Sequence, residues 1–248
     1  MNITVIGAGN MGGALAKGWA KSMDMQQNKI TVTARSQATL DRFTKEFPMI
    51  ATTLDNKEAV KDADVVIIAV KPWLVDSVME SLNGCLDGKL IISVAANVRN
   101  ASINVYAMPN IAAEFGESMS FILDNEDKEA VSKAAALFEK VGKVMVTDEK
   151  SMSAGNMMAG CGIAYVMRFI RAMQEGGVEM GLYPKVAQEV AMQTMQGAVT
   201  LLRETGLHPE AAIDKVTTPG GLTIKGLNEL DHSGFNSSVV RCLKAGLK

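Results

Sequence analysis

Met1-Asn2-Ile3-Thr4-Val5-Ile6-Gly7-Ala8-Gly9-Asn10-Met11-Gly12-Gly13-Ala14 opens the chain and carries its strongest structural signal. Residues 3–6 form an apolar, β-branched run of the kind that makes a short buried strand. Gly7, Gly9 and Gly12 follow at the G-x-G-x-x-G spacing, and apolar residues continue at helical intervals through Leu15, Trp19 and Ala20. Each glycine has a physical task in such a turn. The first permits the tight strand-to-helix reversal, the second lets a pyrophosphate approach the backbone, and the third lets the helix pack on the strand. The phosphates then face unpaired N–H groups at the positive end of the helix dipole. A glycine pattern alone is weak evidence, but a strand before it and a helix after it point to a dinucleotide site.

The next strand separates two cofactors. A fold that binds NAD places a carboxylate on the ribose 2′-OH about twenty positions further on. Here the strand at 29–33 ends in Ala34-Arg35-Ser36, with no carboxylate at the tip. A guanidinium and a hydroxyl suit a 2′-phosphate, so NADP(H) is expected ahead of NAD(H). The bland alternative is that Arg35 is a solvated loop residue and Ser36 only caps the following helix.

Composition bounds the rest. The 248 residues carry 25 basic and 27 acidic side chains, a balance that offers no field for nucleic acid or an anionic membrane. No stretch is long and apolar enough to span a bilayer, and the N-terminus lacks a signal pattern. Cys85, Cys161 and Cys242 are scattered without metal or disulfide spacing, so no metal is expected. A cytoplasmic protein follows as the expectation. His208 and His232 are the only histidines and neither lies in a motif, which argues against a catalytic histidine.

Strand and helix patterns alternate up to about residue 147. Residues 64–70, 90–94 and 103–108 read as buried strands, and 118–123 and 143–146 as two more, separated by a helix over 127–141. The alternation predicts right-handed crossovers and a mainly parallel sheet. From about residue 148 the pattern is helical only. Residues 149–180 read as one long helix weakened by Gly155, Gly160, Gly162, Gly176 and Gly177, and Pro184 starts another that runs to about 204. The fold class is therefore α/β, a Rossmann-type dinucleotide-binding domain over 1–148 followed by an all-α domain over 149–248. The helical part is rich in methionine: Met152, Met157, Met158, Met167, Met173, Met180, Met192 and Met195. Methionine at helical spacing is packing material, so these residues are assigned to the core and to a homodimer seam.

Two further clusters carry chemistry. Val70-Lys71-Pro72 ends a parallel strand, where open α/β sheets bind ligands. Near the other end, Val216-Thr217-Thr218-Pro219-Gly220-Gly221-Leu222-Thr223-Ile224-Lys225-Gly226 places two glycines before a helix start, with hydroxyls at 217, 218 and 223. Backbone N–H groups and hydroxyls together suit a small carboxylate. Both clusters also read as a solvated strand end and an ordinary helix entry.

The chain resembles the pyrroline-5-carboxylate reductase family along nearly its whole length. The resemblance rests on GAGNMGGAL, TARS, AVKP, AMPN, GCGIAY and VTTPGGLTIKGL, of which the last is the most specific. It implies that Gly7, Gly9, Asn10, Met11 and Gly12 hold the pyrophosphate, and Arg35 with Ser36 the 2′-phosphate. By the same resemblance Asn56, Ala69, Val70, Lys71 and Pro72 flank the ribose and nicotinamide, which Met108, Pro109 and Asn110 approach. Thr218, Gly220, Gly221, Leu222 and Thr223, donated by a second subunit, would take the substrate carboxylate. It also implies NADPH-dependent reduction of a cyclic imine to L-proline, with dimers interleaved through helical domains and often arranged in a ring.

The departures cluster near the implied substrate pocket. Tyr106-Ala107-Met108-Pro109-Asn110-Ile111-Ala112 stands for Arg-x-Met-Pro-Asn-Thr-Pro, Ile163 for the proline of Gly-Ser-Gly-Pro-Ala-Tyr, and Leu222 for the first of two threonines. A protonated imine is already electrophilic, so orientation and desolvation carry most of the expected catalysis, with Thr223 or a water it holds as a proton relay. The departures leave room for a divergent imine reductase with altered substrate preference; a 3-hydroxy-acid dehydrogenase, with Lys150 as proton donor, is another rival reading, and a non-catalytic NADP-binding regulator a third.

Overall fold

In the computed structural model, which describes residues 1–247, strand β1 (Asn2–Ile6) is the seed of the sheet. Ile3 and Val5 enter the hydrophobic cluster on one face, and Ile6 enters the cluster on the other. β1 pairs in parallel with β2 (Lys29–Thr33) on one side and β4 (Val65–Ile68) on the other, and β3 (Ala51–Thr53) extends the β2 edge. Strands β5 (Leu90–Ser93) and β6 (Val105–Met108) continue in parallel. β7 (Ser118–Leu123) then runs antiparallel to β6, and β8 (Gly142–Thr147) runs parallel to β7. The result is one eight-stranded sheet in the order β3-β2-β1-β4-β5-β6-β7-β8.

Helices cover both faces. α1 (Asn10–Ser22), α2 (Gln37–Glu46) and α5 (Lys128–Phe138) supply Leu15, Trp19, Phe43, Leu137 and Phe138 to one cluster. Trp19 is fully buried, donates its indole N–H to the Leu137 carbonyl at 2.9 Å, and meets Phe138 edge-on at 5.6 Å. On the other face α3 (Asn56–Val60), α4 (Val75–Ser81) and α6 (Glu149–Gly155) supply Val60, Val75, Met79 and Met152. Short β3 and α3 are absent from the sequence pattern. β3 is three residues long and only partly buried, and α3 is marked by its Asp55 cap, whose carboxylate accepts from the Lys57 and Glu58 amides.

The chain divides into two compact units, Met1–Gly160 and Cys161–Lys248. The helix expected over 149–180 is interrupted. α6 passes into a π-helical turn at Asn156–Cys161, and α7 (Gly162–Glu179) follows. Glycines lie on both sides of the change: at Gly155 a methyl group would run into the Phe121 ring, and at Gly160 into the Asn156 side chain.

The second unit holds α7, α8 (Pro184–Thr205), α9 (Pro209–Lys215), α10 (Leu222–His232) and α11 (Phe235–Ala245). Gly177 lets α7 and α8 approach at Ala187, and Gln174 donates to the Pro184 carbonyl at 2.9 Å. Its buried residues, among those described, are Gly162, Gln174, Gly177, Ala187 and Ala191. Among the described residues of this unit, no large apolar side chain is buried within one chain.

Candidate functional site

The glycines of the β1–α1 turn have three different neighbourhoods. Gly7 has φ of 110°, and a methyl group there would sit 2.8 Å from the Ala69 carbonyl oxygen. At Gly12 an added methyl would meet the Gly7 carbonyl, Ala69 and Val5, so close helix–strand packing demands glycine. Gly9 differs, since a Cβ there would meet nothing within 4 Å. The protein's own packing asks nothing of Gly9, which leaves its bare backbone facing open space at the N-cap of α1. The first bond of the helix is Gly13 N–H to the Gly9 carbonyl at 2.8 Å, so the amides at 10–12 precede the ladder. No acidic side chain stands in that first turn to compete for them.

The turn is tied to its neighbours by the backbone. The Gly7 and Ala8 amides donate to the Thr33 carbonyl at 3.2 and 2.7 Å, and the Ala69 amide to Ile6 at 2.9 Å. The carboxyl ends of β2, β1 and β4 therefore come together, with Arg35, Gly9 and Lys71 at their tips. Arg35 is exposed and joins no ion pair among the described residues. Ser36 occupies the N-cap position of α2 without a side-chain cap bond, and its hydroxyl pairs with Thr39 Oγ1 at 2.9 Å. Asn56 opens α3, and Lys71 is exposed beside Pro72, the first residue of a 3-10 turn.

Met108-Pro109-Asn110 ends β6 at the same edge of the sheet. The Asn110 side chain is occupied internally: its carbonyl accepts from the Ala112 amide at 3.0 Å and its NH2 donates to the Ala159 carbonyl at 3.2 Å. The Asn110 amide in turn donates to buried Ser118 Oγ at 3.1 Å, which pairs with Ser120. Asn110 is thus spent on structure: its side chain holds the loop after β6 to the π-turn, and its own amide and carbonyl are bonded to Ser118 and Ala113. Sequence reasoning missed this use, which depends on a carbonyl 49 positions away.

Lys150 lies in the first turn of α6, directly after β8. β8 runs antiparallel to β6, so it ends at the edge of the sheet opposite Gly9, Lys71 and Met108. This placement removes the proton donor that the dehydrogenase reading required. A groove of about 740 Å3 at that far edge, lined by Asp64, Lys89, Asn104 and Lys133 among others, contains none of the expected site residues.

In the second unit, Thr218-Pro219-Gly220-Gly221 forms a tight turn. The Gly221 amide donates to the Thr218 carbonyl at 2.9 Å, and Gly220 has φ of 72°. Proline second and a positive-φ glycine third make a type II turn. Gly221 caps α10 with extended backbone, and a methyl group there would sit 2.6 Å from Thr218 Oγ1. Leu222 and Thr223 are exposed in the first helical turn. Tyr165 has its hydroxyl raised above its usual pKa by burial, with the Cys242 and Cys161 thiols adding to the effect. Among the described residues no three His, Cys, Asp or Glu side chains form a metal-ligand set.

Comparison with known proteins gives this geometry a lineage. Residues 149–248 match the family described as pyrroline-5-carboxylate reductase dimerisation, and residues 2–97 match NADP oxidoreductase coenzyme F420-dependent. Pyrroline-5-carboxylate reductase 1 of Dictyostelium discoideum is 34% identical over 96% of this chain, which spans 47% of that longer protein. Pyrroline-5-carboxylate reductase of Synechocystis sp. is 34% identical, with 100% of this chain and 96% of that protein covered. The crystal structure of Plasmodium falciparum pyrroline carboxylate reductase with NADP bound superposes with a TM-score of 0.87, at 25% identity, over 99% of this chain and 95% of that one. The chain belongs to the pyrroline-5-carboxylate reductase family.

Proposed function

We infer that this chain is a pyrroline-5-carboxylate reductase, an NADPH-dependent oxidoreductase that reduces the C=N bond of the cyclic imine to give L-proline in proline biosynthesis. Similarity along its whole length to proteins of that name carries the reading. The residues present fit NADP(H): an open backbone at Gly9, free amides at the head of α1, and an unpaired Arg35 beside Ser36 with no carboxylate at the β2 tip. When bound, the nicotinamide supplies the hydride to the imine carbon.

The remaining tasks fall to the chain itself. The amides at 10–12 hold the pyrophosphate, and Arg35 with Ser36 the 2′-phosphate. Asn56, Ala69, Val70, Lys71 and Pro72 line the path toward the nicotinamide, with Met108, Pro109 and Asn110 at its far side. The turn of Thr218, Gly220, Gly221, Leu222 and Thr223 takes the substrate carboxylate on the amides that open α10. Thr223 also relays a proton from a water it holds to the imine nitrogen, regaining one from that water as it gives one up. In the proposed dimer this turn comes from the partner's helical unit, and dimers assemble further into a ring. We place the protein in the cytoplasm, where its free Cys85, Cys161 and Cys242 stay reduced.

Absorbance loss from NADPH in the presence of pyrroline-5-carboxylate tests the activity, with NADH and a six-membered cyclic imine acid alongside. Turnover with NADPH and the five-membered imine is expected. Tight NADPH binding with no turnover on either imine would instead favour the regulatory reading. Thr223→Val should lower kcat/KM about tenfold, the effect of losing one hydrogen bond to a charged group. Unchanged turnover near neutral pH would remove Thr223 from both roles.

A further inference from the structure

Parallel strands need a crossover, and β5 to β6 is joined by one that contains no helix. Residues 94–104 cross the sheet as an irregular segment. Such a segment has no ladder of its own, so side chains must hold it. Tyr106 does most of this from β6. The Asn100 amide donates to the Tyr106 hydroxyl oxygen at 2.6 Å, and that hydroxyl donates to the Asn100 carbonyl at 3.1 Å. Arg99 lies over the Tyr106 ring, its guanidinium carbon 4.7 Å from the centroid, and pairs with Glu149 of α6 at 2.5 Å. Asn100 Nδ2 donates to Asp76 of α4 at 2.9 Å. The segment is thus bound to a strand and to two helices.

Its beginning lies at the ligand edge of the sheet. The Val94 amide donates to the Ile68 carbonyl at 3.0 Å, which starts the segment at the carboxyl end of β4, the strand that leads into Ala69 and Lys71. Asn97 has φ of 57° and is the one non-glycine residue with positive φ among those described. A left-handed asparagine persists where the surroundings impose it, and the Tyr106 grip begins three residues later.

We propose that Tyr106 and Arg99 are positioning residues for the nicotinamide end of the cofactor site. By pinning residues 99 and 100 they fix where residues 95–97 stand against the cofactor. Tyr106 is also the residue at which this chain departs from the Arg-x-Met-Pro-Asn pattern, and the cation over its ring is supplied from Arg99 instead. The proposal rests on the reductase reading for its kinetic arm alone.

Two variants test it. Tyr106→Phe keeps the ring and removes the hydroxyl, and Arg99→Gln removes an exposed cation without burying anything new. The dissociation constant for NADPH is measured by calorimetry, and kcat and both KM values by turnover with pyrroline-5-carboxylate. Each variant should bind NADPH several-fold more weakly and lose about tenfold in kcat, the scale of a small misplacement at a reacting centre. KM for the imine should stay within about twofold, and Arg99→Lys should recover part of the loss through its retained cation. A merely structural role would lower the melting temperature and leave kcat and the NADPH constant per folded enzyme alone, which overturns the proposal. Wild-type protein that binds NADPH without imine turnover would count against the reductase reading, while the calorimetric comparison would still decide the proposal.

Discussion

A methyl group placed at Gly12 would run into the Gly7 carbonyl, while one placed at Gly9 would enter open space. The two positions share a motif and should fail in opposite ways. Gly12→Ala should destabilise the protein by about 1–3 kcal/mol, the usual effect of overpacking, seen as a lowered midpoint in urea. Gly9→Ala should leave stability within about 0.5 kcal/mol and still weaken NADPH binding at least about tenfold by calorimetry. Equal stability losses at both would mean that Gly9 serves packing and not a ligand. Arg35 belongs to the same scale. Its guanidinium joins no ion pair among the described residues, so Arg35→Ala should raise KM for NADPH about ten- to a hundredfold, as expected for lost charged hydrogen bonds, with little change for NADH. Parallel losses with both cofactors would return Arg35 to the status of a solvated loop residue.

The π-turn is the element that the periodicity of the helical half conceals. Glycines at 155 and 160 mark where a regular helix is weak, yet they do not say what a break would accomplish. The answer comes from the Ala159 carbonyl, which accepts from Asn110 on the loop after β6. π-turns occur often at functional sites because the extra residue frees backbone groups for partners outside the helix. Asn110→Ala would leave the Ala159 carbonyl and the Ala112 amide without their side-chain partners. A loss of about 1–3 kcal/mol is expected, with faster amide hydrogen exchange confined to the π-turn and the turn after residue 110. Unchanged exchange there would show that the helix holds its own break. α1 supports the same loop from the other side, since Gly18 packs so closely on the Ala113 carbonyl that a methyl group would not fit.

At the scale of the molecule the two units are built on different terms. The first closes its own core with Trp19, Phe138, Leu15 and the β4 run all fully or nearly buried. The second buries only small residues and one glutamine, while Val186, Val190, Met192, Val199 and Leu201 along α8 stay more than a third exposed. Apolar surface on that scale marks an association face, and it coincides with the dimerisation family match over residues 149–248. The methionines assigned to a core divide accordingly: Met152 is buried within the chain, whereas Met158, Met167, Met180 and Met192 are exposed. Val190→Asp should convert the assembly toward monomer in light scattering and lower the melting temperature, because a charge at a buried seam is left unpaired. The wild-type melting temperature should also rise with protein concentration, as it does wherever association stabilises the fold. A concentration-independent value, with the variant still dimeric, would place the seam elsewhere.

The dinucleotide fold was legible in the residues alone, because glycine spacing, a buried β-branched run and helical periodicity are local properties written in adjacent residues. So was the Pro-Gly-Gly entry to α10, since φ at each turn position follows from residue type. The rest depended on how the chain packs. The antiparallel turn of β7 relocates Lys150 to the far edge of the sheet, which no local pattern records. Asn110 and Ala159, like Arg99 and Glu149, find one another across 49 and 50 positions. Such pairings depend on which strands become neighbours, and strand order is settled by the packing of whole faces.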